Sequence, residues 1–203
     1  MKLYYKPGAC SLASHITLHE AGADFSIEKV DTKEQTTESG EDYAAVNPNG
    51  YVPALRLDGG DVLTEGPAIL QFLADQYSSA ALTPEAGTLE RARVQQHLSY
   101  VGSELHKAFS PFFAGPLEGD ARKAAEANLA KRMNYIETIF ADGRAHLLGD
   151  QFTIADAYLF VVASWSPHVG VDLGQWPNIA RFVARVASRP STEAAMRAEG
   201  LIQ

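Results

Sequence analysis

The chain is poor in cysteine. Its 203 residues include one, Cys10, so no internal disulfide can form and no disulfide framework underlies the fold. It has no run near the roughly 20 apolar residues that cross a bilayer. The opening MKLYYKPGAC lacks the shape of a signal peptide. A reducing, cytoplasmic location with no membrane partner is therefore expected. Positive charge is in deficit: 17 Lys and Arg face 25 Asp and Glu, for a formal net charge of -8. That balance argues against wrapping nucleic acid or resting on an anionic membrane, while leaving room for a local basic pocket for an acidic small molecule. Neither GxGxxG nor GxxxxGK[ST] occurs, so dinucleotide and P-loop chemistry lack support. His15 and His19 have the i, i+4 spacing that can hold a metal. There is no HExxH pattern and no further ligand of suitable spacing, so a half-buried pair and no metal site are expected. Repeats and low-complexity tracts are absent.

What is present is a change of texture near residue 80. Leu3-Tyr4-Tyr5 reads as a short strand broken by Lys6-Pro7-Gly8. Ser11 to Ala23 follows with Leu12, His15, Ile16 and His19 at helical spacing and Gly22 as a stop. Residues 25–30 alternate as a second strand, 31–42 read as a polar loop, and Tyr43 to Val46 as a helical turn. Asn47-Pro48-Asn49-Gly50 is a strong turn signal, and 52–57 with 62–63 form a hairpin across Asp58-Gly59-Gly60-Asp61. Pro67 suits the first turn of a helix whose apolar face is Ile69, Leu70, Phe72, Leu73 and Tyr77. Strand, helix, strand, hairpin and helix imply a mixed sheet with packed helices over 1–80. Residues 81–87 finish a small, polar linker. Over 88–203 strand signals nearly vanish and helices are predicted at 88–113 (ended by Pro111 or Gly115), 120–140, 154–166, 178–188 and 191–198. Thr153 to Asp156 fits a capping box, a structural feature.

Several residues could carry chemistry. Cys10 follows a Pro-Gly turn at a helix start, where free amides and the positive dipole end favour a thiolate; a buried inert thiol is the alternative. Val52-Pro53 lies between a turn and a strand. A cis bond there would open backbone groups to a peptide laid in as an extra strand, whereas a plain strand-entry proline does nothing of the kind. Glu65-Gly66 precedes a helix, so its free amides suit a carboxylate and Glu65 an ammonium, or Thr64 and Glu65 simply cap. Ser99, Ser103 and His106 share one helix face, beside Lys107, as a cleft lining or a solvated stripe.

Together these residues resemble the beta class of bacterial glutathione transferases, and forms from aromatic-pollutant degradation look similar. The resemblance spans the whole chain and rests on KLYYKPGACSLASHI, NPNGYVPAL, LTEGPAI, SELHKAFSP, FTIADAYLF and RAEGLI. It implies an α/β plus all-α protein: a thioredoxin-like N-terminal domain, an all-helical C-terminal domain, a homodimer, and a glutathione site between the domains. By motif, Cys10 lies beside the glutathione sulfur with His106 as a second donor. Val52 pairs with the tripeptide and Pro53 is cis. Glu65 and Gly66 receive the γ-glutamyl end. Ser99, Ser103, Glu104 and Lys107 line the site, Glu104 from across the dimer. Relatives often carry Lys where this chain has Gln35, with Lys33 as a substitute cation, and Asn where it has Ser99. Tyr5, Phe109, Phe112, Phe113 and Trp165 are expected around the second substrate. The activity implied is attack of the glutathione thiolate, as co-substrate, on a small hydrophobic electrophile. Thiol-disulfide exchange or reductive dehalogenation through Cys10 is a second possibility, and a non-catalytic carrier of apolar ligands a third.

Overall fold

Leu3, Tyr4 and Tyr5 lie in β1 (Lys2–Tyr5), and their alternation organises everything around them. Leu3 and Tyr5 face one side, where Leu18, Leu55, Ile69 and Leu73 complete a buried cluster. Tyr4 faces the other, with Val30, Tyr43, Val46, Val52 and Ala54. In the computed structural model, which describes residues Met1–Gln203, β1 pairs in parallel with β2 (Ser26–Asp31) and antiparallel with β4 (Ala54–Arg56). The parallel pair requires a crossover, supplied by α1 (Ser11–Glu20). β5 (Val62–Thr64) closes the predicted hairpin on β4, and β3 (Thr36–Thr37) adds an edge to β2, giving the order β3-β2-β1-β4-β5. The stretch 31–42, read from sequence as loop, thus holds a two-residue strand, too short to show an alternating pattern. α2 (Tyr43–Val46) supplies two residues of the Tyr4 cluster, and α3 (Gly66–Gln76) supplies Ile69 and Leu73 to the other.

The chain divides into two compact units, Met1–Thr83 with Ser188–Gln203, and Pro84–Ala187. The sequence assigns everything after residue 87 to one helical domain. The structure instead sets the closing segment, with α9 (Pro190–Ala198), in the first unit. The cause is a set of polar anchors that no local pattern reveals. Arg189 forks onto the Glu20 carboxylate at 2.7 and 2.9 Å, Ser191 donates to the same group, and Glu199 pairs with His15 at 3.0 Å.

The second unit is helical: α4 (Leu89–Tyr100), α5 (His106–Phe113), α6 (Gly119–Ile139), α7 (Ile154–Ala163) and α8 (Pro177–Ala187). Every residue of α7 is buried. Its start is held by the predicted capping box, with the Asp156 carboxylate accepting from the Thr153 N–H at 2.8 Å, the Thr153 hydroxyl at 2.7 Å and the Leu147 N–H at 2.8 Å. The single helix predicted over 88–113 is interrupted by a π turn, Val101–Leu105, where the His106 N–H reaches the Val101 carbonyl. A π turn closes on the fifth residue rather than the fourth, so the helical phase slips just before His106. Pro111 does not end α5; it is accommodated on an exposed position within it. A thioredoxin-like unit plus a helical unit is the architecture that results.

Candidate active site

In the first unit the Lys6–Cys10 turn is fixed by its own backbone. The Ala9 N–H donates to the Lys6 carbonyl at 3.0 Å. The Ser11 hydroxyl accepts from the Lys6 N–H at 3.2 Å and donates to the Lys6 carbonyl at 3.3 Å. Gly8 has φ +70°, a left-handed position suited to glycine. Cys10 is partly exposed. The sequence places its thiol over the free amides of α1, but Cys10 has helical angles, φ −58° and ψ −21°, and makes no cap bond. A capping side chain needs an extended backbone at that position. The thiol instead donates to the Val52 carbonyl at 3.3 Å.

That contact ties Cys10 to the other candidates of this unit. The Val52-Pro53 bond is cis. Val52 precedes β4 and lies outside its ladder, and the Pro53 ring sits against Gly66, 3.9 Å from where a Cβ would stand. Glu65 opens α3 at φ +66°. Its carbonyl accepts from the Ala68 and Ile69 N–H groups, both at 3.0 Å, while its carboxylate accepts from the Tyr51 hydroxyl. Tyr51 was not singled out from sequence, although it closes the NPNGY turn; its carbonyl takes the Asn47 amide at 2.6 Å and the Tyr43 hydroxyl at 2.9 Å.

Three other candidates are placed differently. The Gln35 amide donates to the carbonyls of Thr32 at 2.6 Å and Gly50 at 2.9 Å, so it staples the turn instead of presenting a polar tip. Lys33 is exposed; its backbone N–H meets Asp31 at 2.9 Å. Tyr5 is a core residue, its hydroxyl pKa raised by burial first and by Glu199 and Glu38 after it. His15, seen in the sequence as half of a metal-spaced pair, is buried against Glu199, whose second oxygen accepts the Gly8 N–H at 2.9 Å. Glu199 thereby braces the turn that carries Cys10.

In the second unit Ser99, Ser103, Glu104 and Lys107 are exposed along α4, the π turn and α5. The Ser103 hydroxyl donates to the Ser99 carbonyl at 2.8 Å, and Glu104 accepts from Arg132 at 3.2 Å. His106 is half-buried, with Nδ1 2.8 Å from the Tyr158 hydroxyl. Burial, and secondarily the Lys107 charge, push its pKa down to about 4, so the ring is neutral at physiological pH. The aromatic residues picked from helix phase do converge. His106, Phe109 and Phe113 meet the Trp165 ring edge-on at centroid distances of 4.8, 5.6 and 5.5 Å. Phe109 is fully buried within the cluster, whereas Phe113 is 56% exposed. Phe112 joins the group through Phe109, at a centroid distance of 6.4 Å, and carries the Arg122 guanidinium 4.9 Å over its ring.

Comparison with known proteins agrees with this architecture. Residues 8–76 match the family model for the glutathione S-transferase N-terminal domain and residues 101–190 that for the C-terminal domain. Glutathione S-transferase GstA of Escherichia coli O157:H7 is 45% identical over 201 residues, covering 99% of this chain and 100% of that protein. The solved beta-class glutathione S-transferase of Sphingomonas chungbukensis superposes with a TM-score of 0.95 at 48% identity over 100% of both chains. A sphingomonad glutathione S-transferase complexed with glutathione gives a TM-score of 0.94 at 46% identity, again over 100% of both. With relatives this similar along its full length, the chain belongs to the glutathione S-transferase family, alongside its bacterial beta-class members.

Proposed function

We propose that the chain conjugates glutathione to small hydrophobic electrophiles, holding the tripeptide as an added strand on Val52. The observation that carries this is the 3.3 Å contact between the Cys10 sulfur and the Val52 carbonyl: the backbone position suited to an extended peptide adjoins the chain's single thiol. A peptide so paired places its γ-glutamyl end at the start of α3. There Glu65 meets the ammonium and the free amides meet the carboxylate, and the cysteinyl sulfur comes to Cys10. The Cys10 S–H then turns from Val52 to the glutathione thiolate as a hydrogen-bond donor. Neutral His106 serves as a further donor, and Ser99, Ser103 and Lys107 supply polar contacts. The thiolate attacks the electrophilic carbon, a C–S bond forms, and a halide leaves with its electron pair. Holding the nucleophile in place supplies much of the gain. The exposed Phe113 beside half-buried Phe112 suits an aromatic electrophile. Exposed Leu89 and Tyr135 suit burial in a homodimer, in which Glu104 reaches a second copy, and a single reduced thiol suits the cytoplasm.

The test is the rate at which the purified protein conjugates glutathione to an activated aryl halide. A rate well above the uncatalysed one is expected, and a background rate would overturn the proposal. The partial exposure of Cys10 favours a second reaction, disulfide exchange, in which the Cys10 thiolate attacks a mixed disulfide and glutathione then releases it. In Cys10→Ala, conjugation should survive in part while exchange is abolished; exchange at the full rate would remove Cys10 from any covalent role.

A further inference from the structure

Tyr158 lies on the buried helix α7, is 4% exposed, and has no part in the chemistry above. Its hydroxyl stands 2.8 Å from His106 Nδ1. We propose that Tyr158 is a positioning residue that fixes His106 as the Nε2–H tautomer, making the ring a neutral N–H donor for the glutathione thiolate. This rests on the reading that His106 serves the glutathione site.

A neutral imidazole has one N–H and one bare nitrogen, so whichever nitrogen accepts a hydrogen bond forces the proton onto the other. In this pair the phenol is a stronger acid than an imidazole N–H, and the imidazole nitrogen a stronger base than a phenol oxygen. The shared proton therefore sits on Tyr158, Nδ1 accepts it, and Nε2 carries the hydrogen. The ring has little freedom to turn. Tyr158 meets it edge-on at 6.1 Å and Trp165 at 4.8 Å. Tyr158 is itself held on a helix whose start is locked by Thr153 and Asp156. A protonated ring would donate from both nitrogens and turn the Tyr158 hydroxyl away. Burial and Lys107 oppose that state.

The first readout is the two-bond proton–nitrogen NMR spectrum of histidine-labelled protein. His106 should appear as Nε2–H in the wild type and as a mixture of tautomers in Tyr158→Phe; a wild-type Nδ1–H signal would overturn the proposal. The second is conjugation kinetics on the full chain. Tyr158→Phe should lower kcat by about tenfold, the size of one lost hydrogen bond to a charged group, with the glutathione KM changed by less than about twofold, because the donor matters to the thiolate more than to binding. In a His106→Gln background the same substitution should change nothing further. An equal loss in both backgrounds would show that Tyr158 acts elsewhere and overturn its role. Full activity of His106→Gln alone would instead remove His106 from the site, and the positioning role with it, while the NMR result would still report the tautomer.

Discussion

His15 and His106 each direct Nδ1 at a side-chain oxygen, and the identity of that oxygen separates a cross-link from the donor proposed above. His15, in the sheet-containing unit, faces the Glu199 carboxylate at 3.0 Å and is 1% exposed. Its ring stacks on His19 at 5.1 Å and meets the edge of Phe25 at 5.6 Å, so no edge is left for a ligand. His106, in the helical unit, faces a phenol and is only partly buried. A carboxylate can accept from several donors at once, and Glu199 does so by bridging His15 to the Gly8 N–H. A phenol brings no charge, so it orients a ring without drawing a proton to it. Partner and burial, rather than residue type, assign the two roles.

The comparison breaks if the His15 contact is not structural. Glu199→Ala takes the carboxylate away from a buried histidine and, with it, one acceptor of the partly buried Gly8 N–H. Removing one member of such a buried pair costs about 3–5 kcal/mol, the largest effect expected here, and denaturant unfolding would measure it. Because Gly8 lies two residues before Cys10, conjugation should fall in the same variant even where the protein remains folded. A loss below about 1 kcal/mol, the value of an ordinary exposed pair, would mean that the closing segment is anchored elsewhere.

A second prediction sharpens the helical half. An unfolded histidine takes up its proton near pH 6.5, whereas folded His106, with Lys107 beside it and the neutral Tyr158 and Trp165 against it, does so only near 4. Between those values the unfolded state binds more protons, so this residue's contribution to stability falls as the pH drops. His106→Gln has no such term. Relative to the wild type it should gain up to about 2 kcal/mol between pH 7 and pH 5. Asp156 works in the opposite sense. Burial raises it to about 6, so its contribution is present below the ordinary carboxylate range near 3.9 and is lost as the pH rises through 6. It is common to both proteins and cancels in the difference. A flat difference would show that His106 titrates as an ordinary surface histidine.

What the sequence reveals follows how each feature is specified. Cys10, Val52, Pro53, Glu65 and Gly66 sit on turns or at helix starts, where Pro, Gly and capping residues announce the backbone, and the structure joins them through short contacts. The Thr153 capping box is equally local and formed as predicted. Tyr158 and Glu199 are different: they lie 52 and 184 residues from the histidines they hold, and no spacing rule links them. The π turn leaves no compositional mark, yet it shifts the phase on which the Ser99, Ser103 and His106 stripe was drawn. Gln35 was legible as a polar loop residue but not as a staple, because its two acceptors are backbone carbonyls from different turns.

The smallest effect concerns the other anchor of α9. Arg189 forks onto Glu20 with side-chain exposures of 31% and 14%, and Ser191 reinforces it. The geometry is better than that of the buried pair, with two parallel charge-assisted bonds in place of one. Water nevertheless reaches the guanidinium, so the charges gain little on leaving the unfolded chain. Arg189→Ala should cost about 0.5–1 kcal/mol, and the cost should shrink further in about 1 M salt, where screening acts over roughly 3 Å. The Glu199→Ala cost should hardly change with salt, since the pair it breaks is enclosed. Unfolding curves of both variants at low and high salt make the contrast direct. If Arg189→Ala proved the costlier and the more salt-resistant, the closing segment would be held by its fork at the α1 terminus, and Glu199 would be left as a guide for the Cys10 turn alone.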